Sequence, residues 1–169
     1  MKKMLLSLII VIFCFVIFCH CNLFSQIKIA VLPFSNLDGD NALSTWCYQL
    51  QDSLTKALQS LDVEQKYIII VPAEEIIAAL QEQGIDANNS NFDSEKWKVV
   101  SSLNVDKIIS GTFRITANRF LINSYIYYPE TLLSDPDFQA RDIFRRADKV
   151  LEAVPMIVRQ LSKAFMPES

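Results

Sequence analysis

The chain is poor in the residues that usually carry chemistry. Its 169 residues include one histidine and three glycines. That histidine, His20, lies within the first 25 residues, as do Cys14, Cys19 and Cys21. The same segment opens on Lys2-Lys3, runs through an apolar stretch from Met4 to Phe18 and presents Leu23-Phe24-Ser25 ahead of Gln26. This is the layout of a secretory signal peptide. The apolar stretch is shorter than the ~18 to 20 residues that a membrane-crossing helix needs. Residues 1–25 are therefore expected to be a signal peptide, residues 26–166 a single domain and residues 167–169 a tail. A retained anchor is one alternative. Lipidation is another, although Cys14 and Cys19 follow phenylalanine, and Cys21 follows His20, where a small residue is usual.

Loss of that segment removes the histidine. Ser-His-Asp triads, Cys-His dyads and histidine zinc sites are then excluded. Gly39, Gly84 and Gly111 are too scattered for GxGxxG or GxxxxGK[ST], so neither phosphate-cradling loop is present. Cys47 is left as a lone thiol, which excludes an internal disulfide. The formal net charge of −3 becomes more negative without Lys2 and Lys3. That sign argues against nucleic acid as a partner, because phosphate contacts need clustered lysine and arginine. No cofactor and no metal is expected.

What remains reads as alternating strands and helices. Ile27 to Pro33 is a β-branched apolar run and predicts a buried strand. Asn36 to Asn41 predicts a turn. Leu43, Cys47, Leu50, Leu54, Ala57 and Leu61 recur at helical spacing and predict a helix from Leu43 to Leu61. Tyr67 to Val71 predicts a central strand covered on both faces. Ala73 to Gln83 predicts a helix with Gly84 as its terminal cap. A short helix is expected from Ser94 to Leu103, with Asp93 as N-cap. Asp106 to Phe113, Phe120 to Tyr128 and Asp137 to Phe144 predict three further strands, with Pro129 to Pro136 as a loop. The last helix is expected over Arg145 to Phe165, kinked at Pro155. The result is an α/β fold: a single layered domain, with a mixed central sheet of about five strands flanked by helices.

Carboxylates are the remaining reactive groups. Asp38 and Asp40 follow the first strand, and Asp135 and Asp137 lie near the last. Asp38 and Asp40 are a candidate acid-base pair or cation site, set against the plainer reading of a hydrophilic turn, and either pair is a candidate for a carboxylate-only hydrolase. Cys47, Trp46 and Trp97 read as packing residues. Tyr125 and Tyr127 share a strand face with Asn123, and tyrosine is enriched where proteins meet. Arg141, Arg145, Arg146 and Lys149 form a basic cluster on an acidic chain, suited to an acidic partner or an anionic lipid surface. Tyr125, Tyr127, Arg141 and Arg145 are the candidate partner-binding residues.

Three segments taken together resemble the TolB amino-terminal domain and its relatives CsgG, LpoB and FlgO. They are Ile29-Ala30-Val31-Leu32-Pro33-Phe34 with Asn36-Leu37 and Gly39-Asp40, Glu74-Glu75-Ile76 through Leu80 to Gly84, and Leu103-Asn104-Val105-Asp106-Lys107-Ile108-Ile109-Ser110-Gly111-Thr112. Asn104 stands where those proteins usually have glycine, and Lys107 replaces an aromatic residue. The resemblance implies an envelope module that binds other proteins without catalysis or cofactor. The long inserted hairpins of a CsgG-like pore are missing, so a secretion channel is not expected. The expected function is an exported, non-catalytic interaction module, periplasmic or envelope-associated, that scaffolds or modulates an envelope assembly. Peripheral membrane association is an additional expectation. A carboxylate-only glycan hydrolase and a membrane-anchored structural protein are the alternatives.

Overall fold

The computed structural model describes residues 26–167. The expected signal peptide and residues 168–169 lie outside them. Ile27–Val31 (β1) is central and pairs in parallel with Ile68–Ile70 (β3) on one side and Lys107–Thr116 (β4) on the other. Both neighbours and both faces bury it, so Ile29, Ala30 and Val31 are fully buried and the strand reads as an unbroken apolar run. The two residues Ser35–Asn36 (β2) continue its direction beside β4. The chain then returns in antiparallel steps through Arg119–Tyr127 (β5) and Ser134–Arg145 (β6). The sheet is thus mixed and six-stranded, in the order β3-β1-β4-β5-β6 with β2 against β4.

Thr45–Gln59 (α1) and Val154–Leu161 (α5) cover one face. Cys47, Leu50, Leu54 and Leu58 line the inner stripe of α1, all fully buried. Each of those leucines contributes roughly 1.5 to 3 kcal/mol of apolar burial. Ala73–Glu82 (α2) and the succession Phe92–Glu95 (α3), a 3-10 turn at Lys96–Val99 and Val100–Leu103 (α4) lie on the other face. Gly84 has φ +68, and the amides of Gly84 and Ile85 donate to the carbonyls of Gln81 and Leu80 at 2.9 Å each. This is the left-handed cap that the sequence predicts.

The strand expected to be central at Tyr67 to Val71 is instead the edge strand β3, with Ile69 only half-buried; the other departures from expectation have local causes. α1 starts at Thr45 rather than Leu43, because Asp40 caps a separate 3-10 turn at Asn41–Leu43. β6 begins at Ser134, so the preceding loop is shorter than expected. Pro155 does not kink a long helix. It sits in the first turn of α5, where no amide donor is needed, and the residues before it, Ala147–Ala153, form a 3-10 helix broken at Lys149. Asp93 is not an N-cap. Asn91 takes that position, and the Asp93 side chain binds Lys96 instead. Asn104, at the family's usual glycine, has φ 45, a left-handed conformation that asparagine tolerates better than most residues.

Candidate functional site

The helices do not cover the whole sheet. Alternation along β4 and β5 puts Ile109, Phe113, Ile122 and Ile126 on the face packed by α1 and α5, all fully buried. Ile108, Ser110, Thr112, Arg114 and Thr116 pair with Tyr127, Tyr125, Asn123, Leu121 and Arg119 on the opposite face. There the 3-10 turn reaches only as far as Tyr127, where Trp97 packs with ring centroids 4.7 Å apart. Beyond it, Thr112, Asn123 and Tyr125 are half-exposed and Arg114, Thr116 and Arg119 are exposed. Among the described residues, no helix lies over this half of β4, β5 and β6.

The four residues singled out from sequence divide in two. Tyr125 and Arg141 belong to the uncovered area. Tyr125 is half-buried, with its ring 6.3 Å from that of Tyr127. Arg141 is exposed. It and Asp142 stand opposite Asn123, since Ile122 pairs with Ile143 and Ser124 with Ala140. The extra residue makes a bulge, with Asp142 at φ 57 and its amide donating to Asn123 Oδ1 at 2.8 Å. Tyr127 is turned toward Trp97, and burial pushes its phenol upward from 10.0. Arg145 faces the helix side. Its guanidinium donates to the Phe144 carbonyl at 2.7 Å and contacts Met156 Sδ on α5, while its buried Nε finds no hydrogen-bond partner among the described residues.

Sequence reasoning missed Arg114, Arg119 and Phe144, which the fold adds to this surface. Arg119 lies over the Phe144 ring at 5.6 Å and donates to the Phe144 carbonyl at 3.2 Å. The signal was present in the alternation of Phe113-Arg114-Ile115-Thr116, but it needed the neighbouring strand to show which face stays open.

Three of the carboxylates weighed for catalysis, Asp38, Asp40 and Asp135, accept backbone amides. Asp38 Oδ2 accepts the Ile115 amide at 2.6 Å, and Asp40 Oδ1 accepts that of Ala42 at 2.9 Å. Asp135 is buried and accepts the Tyr128 hydroxyl at 2.7 Å and the Asp137 amide at 3.0 Å. Burial opposes ionisation of Asp135, but these hydrogen bonds hold its carboxyl below the usual carboxylate value. Among the described residues no group of three or more His, Cys, Asp or Glu side chains is arranged to hold a metal ion.

Two other buried groups have structural partners. Lys96 Nζ, 2% exposed, donates to Asp93 Oδ1 at 2.6 Å and to Ser35 Oγ at 3.0 Å. Ser35 Oγ also donates to Asp93 Oδ1, at 2.9 Å. Burial draws the lysine down from its ordinary value of 10.5. Cys47 is buried, and its desolvation pushes the thiol from 9.0 up to about 11. Folded protein should therefore react with a maleimide at pH 8 at least ~100-fold more slowly than urea-unfolded protein, since the thiolate is the nucleophile. Comparable rates in the two states would show the thiol to be accessible. The folded value exceeds the unfolded one, so the neutral thiol's contribution to stability is complete below pH 9 and is lost as the pH rises toward about 11.

No protein-family profile matches the chain, and no curated protein sequence matches it. Its fold is similar to that of lipoprotein GNA1162 from Neisseria meningitidis, with TM-score 0.53 and 14% identity over 82% of this chain and 99% of that one. The fold is shared with a lipoprotein. Two further solved structures are similar at lower TM-score. The LpoB C-terminal domain from Salmonella enterica has TM-score 0.45 and 10% identity over 75% of this chain and 87% of that one. TolB from Acinetobacter baumannii has TM-score 0.46 and 15% identity over 83% of this chain but 28% of that one. At these identities the likeness is one of architecture.

Proposed function

We propose that this chain is an exported, non-catalytic interaction module of the cell envelope that scaffolds or modulates a larger assembly, and that its contact surface is the uncovered half of the sheet. The carrying observation is that open face. The antiparallel half of the sheet turns one face to solvent, as antiparallel sheets can, and that face carries exposed arginine and threonine beside half-buried aromatic side chains. Arginine and tyrosine are enriched at interfaces. The signal-peptide layout and the lipoprotein fold relative favour an envelope setting. Among the described residues no helix is long and apolar enough to cross a membrane, so attachment, if any, falls to the N-terminal segment or to a lipid. The glycan-hydrolase alternative has little support, because Asp38, Asp40 and Asp135 are already engaged by backbone amides.

Photo-crosslinking in intact cells tests this reading. A crosslinker at Thr116 or Arg141 should give discrete protein adducts, and one at the exposed Glu74 or Gln59 on the helical faces should give few. Equal yields from all four positions would sink the assignment of the surface.

A further inference from the structure

We infer that the open sheet face recognises a carboxylate-rich protein surface through Arg114, Arg119 and Arg141. The inference rests on the proposed interaction surface and adds the chemistry of its partner. The three arginines come from three strands and are gathered only by the fold. Arg114 pairs with Leu121, and Arg119 lies two positions further along the same strand, opposite Thr116. Their side chains are diagonal neighbours about 7 to 8 Å apart. Arg141, opposite Asn123 on the far side of β5, is about 12 Å from Arg114 and about 14 Å from Arg119, from the strand spacing and the rise per residue.

All three are exposed, and among the described residues none forms an ion pair. Asp142, beside Arg141, is the carboxylate that the register brings nearest. This concentration of positive charge sits on a chain with a formal net charge of −3 and a pI near 5.2. Guanidinium groups bind carboxylates in a two-pronged geometry that favours defined partners over diffuse attraction. Phe144, with Arg119 across its ring, and Leu121, 8% exposed, give the patch an apolar centre.

Other occupants fit less well. A bilayer is disfavoured by the position of the patch. Gln26, where the N-terminal segment joins the domain, precedes the start of β1, and Ile27 shares with Tyr67, Phe165, Met166 and Pro167 a shallow hollow of about 320 Å³. β1 and β4 run parallel, and β4 continues to Thr116. The arginine face therefore lies toward the opposite pole, about 30 Å from Gln26, where that segment joins the domain. A second copy meeting face to face would set arginine against arginine.

The test titrates purified full-length protein with a 20-residue poly-glutamate peptide and follows backbone amide shifts. Shifts should centre on β4 to β6. Affinity should fall at least tenfold in Arg114→Glu/Arg119→Glu/Arg141→Glu and severalfold when salt rises from about 20 to 200 mM. The equivalent change at Lys149 and Lys163 should have no effect, and neutral Arg→Gln variants should be intermediate. Shifts centred elsewhere, or unchanged affinity in the triple variant, would overturn the inference. So would a shift of the same amides by phosphatidylglycerol vesicles but not by peptide, which would identify a lipid surface. The in-cell crosslinks separate the two levels. Adducts at Thr116 that survive the triple variant remove the acidic chemistry and keep the surface, while absence of adducts in the unaltered protein removes the surface itself.

Discussion

Gly111→Ala should destabilise the domain by roughly 3 kcal/mol or more, at the upper end of what overpacking a core costs. Gly111 lies on β4 facing the helices, and a Cβ built there would stand 2.1 Å from Phe34 Cε1, 2.4 Å from Cδ1 and 2.6 Å from Cζ. Phe34 is itself fully buried, so the ring has no solvent to swing into and the strand or the ring must be displaced. The glycine is thus a matter of room rather than of backbone angle. Phe34→Leu tests this by removing the ring edge. Alone it should cost ~1 to 3 kcal/mol from the cavity it leaves. Combined with Gly111→Ala it should cost less than the sum of the two, by ~1 to 3 kcal/mol. Urea unfolding of the four proteins measures the coupling. Strict additivity would mean that the close approach to Phe34 is not the source of the loss.

Asp93→Asn should cost about 2 kcal/mol, while Lys96→Met should be close to neutral. The asymmetry follows from burial. Lys96 is 2% exposed and Asp93 59% exposed. Removing the carboxylate leaves a buried ammonium with only Ser35 Oγ, and uncompensated buried charges typically cost ~3 to 5 kcal/mol. Water at the exposed Asp93 side relieves part of this. Removing the charge and keeping a linear apolar chain leaves the carboxylate free to be solvated, and replacing a buried ion by a hydrophobe is often neutral. Lys96 also lies 5.1 Å from the Trp97 ring centroid and 5.7 Å from that of Phe92, so a methionine finds apolar neighbours. The midpoint of urea unfolding decides it. A loss for Lys96→Met as large as for Asp93→Asn would mean that the ammonium contributes net stability.

The architecture was legible where one residue type has one physical reason. The β-branched run at Ile29 to Val31, the apolar stripe of α1 and the left-handed cap at Gly84 all read directly from sequence. Asp106 belonged to a recognised motif, and the structure supplies its reason. Its side chain accepts the Lys28 amide at 2.7 Å, while its own amide donates to the Lys28 carbonyl at 2.8 Å, fastening β1 to β4. The candidate surface was less legible. Tyr125 and Tyr127 share a face by alternation, but whether a helix covers that face depends on how far the Lys96–Val99 turn reaches. Arg145 looked like a member of a basic run, yet the β6 bulge at Arg141 and Asp142 sets the two arginines on opposite faces. Lys96 gave no signal. Its burial depends on Ser35, 61 positions away in the chain.

The central place of β1 has a consequence for how the protein is made. β1 is the first strand to emerge, and both its partners come later: β3 about 40 residues on and β4 about 80. The local meander of β4, β5 and β6 can form as soon as it is synthesised, but the apolar β1 has no sheet to join until β4 is available. A chain threaded through a membrane from its N-terminus would thus stay translocation-competent for most of its length. Its core would close only when the far half arrived. An export motor that requires unfolded substrate would be served by this strand order, because the central strand waits for partners that follow it by about 40 and 80 residues.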